Sequence, residues 1–144
     1  AYLYDGKTEK PVPEDYPINP MNPYAHTKYL AEELCRFYCT YYKVNCVIAR
    51  PFNVYGDKQS NKFLIPRLIE HVTAEQDSIV VKDDQPVRDY LYIKDLVKAL
   101  GKLGVYKRAY GVFNIGSGKG HSVKEVADLI QKILMVIITT HLCY

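Results

Sequence analysis

The feature that most constrains the fold is a short apolar run, Cys46-Val47-Ile48-Ala49, set directly behind a stretch of helical period reaching from Pro23 to about Tyr42. Rich in β-branched residues and closed by Arg50-Pro51, it reads as a buried strand. The alternation continues downstream. A helix is predicted over about Phe63 to Thr73, strands over Ser78 to Val81 and Val87 to Ile93, a helix over Lys94 to Leu103 and a strand over Val112 to Ile115. Strands alternating with helices of ten or more residues predict α/β architecture with parallel pairing.

Local signals set several boundaries. Asn22 is a good N-cap and Pro23 suits the first helical position. Leu30, Leu34, Phe37, Tyr38 and Tyr41 form the apolar side of that helix, with His26, Tyr29, Glu32, Glu33 and Arg36 on the other. Residues 5 to 23, which hold five prolines, and Phe52 to Lys62 read as loops. Ser122 and Glu125 have the spacing of a capping box that opens a last helix. The turn Gly116-Ser117-Gly118-Lys119-Gly120 resembles a phosphate-cradling turn but lacks the G-x-G-x-x-G spacing.

With 144 residues, the chain has room for one compact core but not two. Nineteen basic and sixteen acidic side chains give a net charge of +3, scattered along the chain. No basic patch points to nucleic acid or a membrane surface, while a phosphate-bearing small ligand stays compatible. Cys35, Cys39, Cys46 and Cys143 lack the paired spacing of a metal site. They read as reduced thiols packed as small hydrophobes, which fits a cytoplasmic setting.

Tyr24 and Lys28 are the candidate chemical pair. Four apart on a helix, they fall within about 40° of each other, on the rim of the predicted apolar stripe. They would then border whatever cleft the buried side faces. A phenol with an ordinary pKa of about 10 is a poor base at neutral pH, and a neighbouring ammonium favours its phenolate. Together they make a workable acid/base unit for a sugar hydroxyl or carbonyl. The bland reading of the same spacing is a decorated helix rim.

Four segments in order decide between these readings. Asn19-Pro20-Met21-Asn22-Pro23-Tyr24-Ala25-His26-Thr27-Lys28-Tyr29-Leu30-Ala31-Glu32 resembles the active-site helix of the NAD-dependent epimerase/dehydratase family, the extended short-chain dehydrogenase/reductases. Arg50-Pro51-Phe52-Asn53-Val54-Tyr55-Gly56 resembles that family's strand and loop before the sugar-nucleotide site. Val87 to Leu96 resembles its diphosphate-contacting segment, and Phe113 to Gly118 with Ser122 to Val126 resembles the approach to its late helix.

The resemblance implies the later part of a Rossmann-type doubly wound parallel sheet with a small α/β substrate-binding lobe. It implies Tyr24 as acid/base and Lys28 as the residue that tunes it and bonds the nicotinamide ribose. Pro51 would contact the nicotinamide end of NAD or NADP. Asn53 and Arg88 would hold the diphosphate of a UDP-sugar or other nucleotide-sugar, and Leu64 would contact its base through the backbone. Without the family, Asn53 reads equally as a turn residue, and Arg88 as a surface ion pair with Asp89 or Asp95. The activity implied is that of a UDP-glucose 4-epimerase type, with a decarboxylase or 4-ketoreductase as the alternative within the family. A non-catalytic module binding a nucleotide diphosphate or a partner is the alternative of another class. A homodimer is implied for the intact parent.

The family's dinucleotide fingerprint is missing, so residues 1–144 read as one partial domain without its dinucleotide-binding half. Turnover and NAD binding are then expected of the parent and not of this chain alone. The apolar stretch 134–144 reads as a candidate non-native tail. Aligned on the family, Ala1 and Tyr2 stand where dehydratases carry Asp-Glu, which disfavours dehydration. Phe63 stands where many epimerases carry Asn.

Overall fold

The computed structural model describes residues 3–4, 11–74, 83, 85–107 and 109–141, with side chains up to residue 134. Its elements in order are α1 (Pro23–Tyr42), β1 (Cys46–Pro51), β2 (Asn53–Tyr55), α2 (Leu64–Thr73), β3 (Arg88–Tyr92), α3 (Ile93–Gly104), β4 (Tyr110–Ile115), β5 (Gly120–His121) and α4 (Val123–His141). The predicted strand Ser78 to Val81 lies outside the described residues. β2, within the predicted loop Phe52 to Lys62, is only three residues long, too short to give a periodic signal.

β1 and β4 pair in parallel, in register from Cys46 opposite Tyr110 to Pro51 opposite Ile115. β2, β3 and β5 form a second sheet in the order β2-β3-β5. The chain divides into two compact units, Ala1–Val54 with Asp89–Gly118 and Tyr55–Arg88 with Lys119–Tyr144.

In the first unit, alternate residues of β1 serve opposite faces of the sheet. Ile48 and Arg50 are buried on the side of α1, and Val47 and Ala49 turn toward Leu100 and Leu103 of α3. A helix on each face of a parallel pair is the α/β arrangement expected of that apolar run. In the second unit α2 packs on α4, with Leu68 and Val126 buried. No described helix is long and apolar enough to cross a membrane.

The caps follow the local signals. Asn22 Oδ1 accepts from the Ala25 amide at 2.8 Å, with Pro23 in the first turn. α1 stops where Lys43 turns left-handed (φ 56). Ser122 and Glu125 close their box with reciprocal bonds of 2.8 and 3.1 Å.

The orientation of α1 corrects the sequence reading. Leu30, Leu34, Phe37, Tyr38 and Tyr41, expected to face the core, are all exposed, from 44% for Phe37 to 71% for Tyr41. The side that lies inward carries buried Ala25 and Cys39 with half-buried Tyr29, Glu32 and Cys35. Glu32 had been assigned to the polar, outer side. It sits inside because Arg50 of β1 meets it there: Nη2 donates to Oε2 at 2.7 Å and Nε to Oε1 at 2.9 Å. A buried carboxylate is tolerated when it is paired and fully bonded, and small residues such as Ala25 let the helix approach the sheet.

Candidate active site

Tyr24 and Lys28 occupy the first two turns of α1. Ala25, fully buried between them, anchors this end of the helix, and the cap at Asn22 fixes where the first turn begins. The Lys28 ammonium lies 5.4 Å from the centroid of the Tyr24 ring, over its face, a cation–π arrangement. Both side chains are exposed, Tyr24 at 58%. They therefore stand beside an apolar stripe that faces outward, not on the border of the core side as the helical period suggested.

Pro51 ends β1, and the next amide, that of Phe52, donates to the Ile115 carbonyl at 3.0 Å. Asn53 follows, half-buried, and its Nδ2 donates to the Asp89 carbonyl at 3.1 Å. An amide has two N–H donors, so this bond orients Asn53 and leaves a second donor for a ligand oxygen.

The Asp89 carboxylate completes this cluster. Its Oδ1 accepts from the Ser117 amide at 2.8 Å and the Ser117 hydroxyl at 2.7 Å, and its Oδ2 accepts from the Gly118 amide at 2.9 Å. Gly118 adopts φ 77, and a Cβ on Gly116 would stand 2.4 Å from Asp89 Oδ2. Successive amides in such a turn make a small anion nest. Here the anion is the chain's own carboxylate, so the glycine turn is filled from within. Asp89 was not singled out from the sequence as a site residue. The signal that could have found it was the glycine turn itself, which needs an anion when it holds no phosphate.

Two predicted residues belong to the second unit. Leu64 is half-buried and opens α2 behind Phe63, which caps the helix with no side-chain bond and is exposed. Arg88 opens β3, exposed, with Nη1 donating to the Val87 carbonyl at 2.8 Å. The ion pair that would have made Arg88 a surface decoration does not form, because Asp89 serves the glycine turn and Asp95 pairs with Lys98 at 3.0 Å. The structure thus brings Tyr24 to Lys28 and Asn53 to Asp89. A shallow pocket of about 350 Å³ on the α3 side of β1, lined by Val47, Ala49, Leu100 and Leu103, includes none of the predicted residues.

Behind these groups, Arg50 fastens α1 to the sheet. Its Nη1 donates to the Tyr4 hydroxyl at 2.7 Å and to the Glu14 carbonyl at 3.0 Å. The Tyr4 hydroxyl in turn donates to Asn114 Oδ1 at 2.8 Å. The hydrogen bond to Glu32 holds the guanidinium above its ordinary pKa, with burial pulling the other way and Tyr4 adding a smaller upward push.

Residues 1–116 match the NAD dependent epimerase/dehydratase family. A UDP-glucose 4-epimerase 4 from Oryza sativa subsp. japonica is 30% identical over 92% of the chain and 42% of its own length. A dTDP-D-glucose 4,6-dehydratase from Homo sapiens is 34% identical over 91% of the chain and 38% of its own length. Among solved structures, UDP-glucose 4-epimerase from Thermotoga maritima with UDP-glucose superposes with a TM-score of 0.79 at 30% identity, covering 88% of this chain and 41% of that one. UDP-glucuronic acid 4-epimerase from Bacillus cereus, with UDP-glucuronic acid and NAD, gives 0.82 at 29% identity, covering 92% and 43%. The chain therefore spans about two fifths of the length of these relatives, and its parallel strands match part of their Rossmann structures. With a family match over residues 1–116, most of its length, the chain belongs to the NAD-dependent epimerase/dehydratase family.

Proposed function

We propose that this chain carries the proton-transfer and substrate-diphosphate residues of a nucleotide-sugar 4-epimerase whose full activity resides in a longer protein. The observation that carries the reading is the Lys28 ammonium lying over the Tyr24 ring at the capped, firmly seated start of α1. The geometry supplies a hydroxyl able to take or return a proton and a fixed positive charge beside it. In the longer protein, Tyr24 removes the proton of the sugar 4-hydroxyl and later returns it, and Lys28 steadies the charge that develops on its oxygen. Bound NAD, or NADP, would supply the hydride acceptor and donor.

The residues present fit one end of such a dinucleotide only. Lys28 and Pro51 suit its nicotinamide end, whereas the glycine turn at 116–120 already holds the Asp89 carboxylate. The adenosine and pyrophosphate ends therefore belong to residues outside this chain, which on this reading is one partial domain whose second unit serves as the substrate lobe. Asn53, oriented by Asp89, and Arg88, with most of its donors uncommitted, hold the diphosphate of a UDP-sugar, and the backbone at Leu64 meets its base. The exposed stripe from Leu30 to Tyr41 pairs with a second copy in a homodimer, and a cytoplasmic setting goes with the substrate.

Tyr24→Phe in the full-length enzyme tests the assignment. Turnover is expected to fall by about 10²–10⁴-fold, while UDP-sugar binding by calorimetry stays unchanged. Undiminished turnover would remove Tyr24 from the chemistry. Parallel incubations with UDP-glucose, UDP-glucuronate and a 4-keto sugar nucleotide identify the reaction by its product. Release of carbon dioxide, or reduction of the keto sugar, would replace epimerisation by the decarboxylase or ketoreductase reading.

A further inference from the structure

The side of α1 that lies on the sheet is poor in apolar bulk. Its buried residues are Ala25 and Cys39, while Leu30, Leu34 and Phe37 are exposed. Apolar burial is non-directional, and small residues leave a helix free to turn about its axis and to slide along a sheet. A directional contact is needed to fix where α1 stands.

The Glu32–Arg50 pair supplies it. Both side chains are largely buried and meet through two bonds, Nη2 to Oε2 at 2.7 Å and Nε to Oε1 at 2.9 Å. Two parallel bonds between planar groups fix angle as well as distance. The remaining nitrogen, Nη1, donates to the Tyr4 hydroxyl and to the Glu14 carbonyl in the segment that leads into α1. Asn114 stands opposite Arg50 in the register of β1 and β4. It accepts from the Tyr4 hydroxyl and donates from Nδ2 to the Val12 carbonyl at 2.8 Å. One network thus grips both the approach to α1 and its third turn at a single level of the sheet. Glu32 lies four residues beyond Lys28 and eight beyond Tyr24, and Arg50 directly precedes Pro51.

We infer that Glu32 and Arg50 are positioning residues for proton transfer at Tyr24. Their paired bonds set the rotation and height of α1, and so place the Tyr24 hydroxyl relative to the strand end that carries Pro51 and Asn53. The inference rests on the reading of Tyr24 as the acid/base and adds how its place is held. Tyr24 is 58% exposed, so its own packing holds it weakly and the helix backbone sets its position. Proton transfer needs hydrogen-bond reach, about 2.6–3.2 Å. A misplacement of about 1 Å costs roughly 100-fold in rate.

The test separates position from stability in the full-length enzyme. Glu32→Gln combined with Arg50→Met removes the buried charge together with the paired bonds, so most of the stability lost in Glu32→Gln alone returns. Denaturation follows the folding and calorimetry the UDP-sugar binding. The kcat per folded molecule is expected to stay about 10- to 100-fold below that of the parent, with KM for the UDP-sugar unchanged. Arg50→Lys keeps the charge without the planar fork and should give an intermediate kcat; it decides the matter if the double variant does not fold. Adding Tyr24→Phe to the double variant should lower kcat no further than Tyr24→Phe alone, because the pair acts through that hydroxyl. A pair that only stabilises the fold gives the opposite result, in which kcat returns to the parent value along with stability. That outcome, or losses that multiply with the loss from Tyr24→Phe, would overturn the inference. Turnover undiminished by Tyr24→Phe itself would instead overturn the acid/base reading beneath it.

Discussion

Two arginines that each sit at a strand end in this chain are used in opposite ways. Arg50, 6% exposed near the end of β1, commits its guanidinium to Glu32, Tyr4 and the Glu14 carbonyl, with its central carbon 5.5 Å from the Tyr4 ring centroid. Arg88, exposed at the start of β3, makes a single bond to the carbonyl of the residue before it. The first is a structural charge, because its donors are answered inside the fold. The second is a charge held in readiness, because an arginine offers five donors and a planar fork that suits phosphate. Identical side chains are separated in role by what the surrounding chain has already satisfied.

The most damaging way to probe this difference is to remove the partner of the buried arginine. Glu32→Gln keeps the shape but leaves Arg50 buried without a counter-charge, and is expected to cost about 3–5 kcal/mol in unfolding free energy. Chemical denaturation measures it. Adding Arg50→Met should cost much less than a second penalty of that size, because the uncompensated charge is then gone. Glu32 keeps the guanidinium above its ordinary pKa. The arginine's share of stability is therefore present at all pH values below the unfolded arginine pKa, and is lost only as pH rises through the folded one. A cost for Glu32→Gln below about 1 kcal/mol would mean that the pair is no more than a surface contact, and would erase the contrast with Arg88.

The same pair explains what could and could not be read in advance. The caps at Asn22 and Ser122, and the end of β1 at Pro51, were legible because each depends on residues within a turn of one another. The inward side of α1 was not. Hydrophobic period favours Leu30, Leu34 and Phe37, but the helix lies on the sheet through Ala25, Glu32 and Cys39. The reason is a partner 18 residues away, at Arg50, which no local pattern registers. Tyr24 and Lys28 were visible by spacing and family motif, yet the ammonium over the ring face is a matter of rotamers. Asn53 was picked for a ligand while the Asp89 carbonyl that orients it went unseen, since that contact joins two strands 36 residues apart.

A middle-sized effect is expected beside Arg88, where Asp89 gives the strand a closure of its own. In Gly116→Ala the new methyl would meet Asp89 Oδ2 at 2.4 Å, and Asp89 Cγ and Phe52 Cδ2 at 3.0 Å. The carboxylate cannot retreat without releasing the Ser117 and Gly118 amides. A loss of about 1–3 kcal/mol is expected, the usual range for overpacking. Denaturant midpoints of this variant and of Gly101→Ala, whose Cβ meets nothing within 4 Å, separate crowding from the general effect of adding a methyl. Equal shifts in both would mean that Asp89 does not clamp the turn, and that this strand is as open as Arg88 itself.

The smallest effect on stability is expected at Arg88, and that smallness is what gives the contrast its meaning. Arg88→Gln removes one bond to the Val87 carbonyl from an exposed side chain, so unfolding should move by no more than about 0.5 kcal/mol. Binding should respond differently. If the guanidinium serves a diphosphate, losing a charged hydrogen bond weakens UDP-sugar affinity of the full-length enzyme by about 1.5–3 kcal/mol, roughly 10- to 150-fold. Arg88→Lys should recover only part of it, because an ammonium keeps the charge but not the two-pronged geometry. Calorimetric titration with UDP reads both variants. An affinity that stays level through Arg88→Gln would leave this arginine with neither a structural partner nor a ligand, and the opposition to Arg50 would reduce to burial alone.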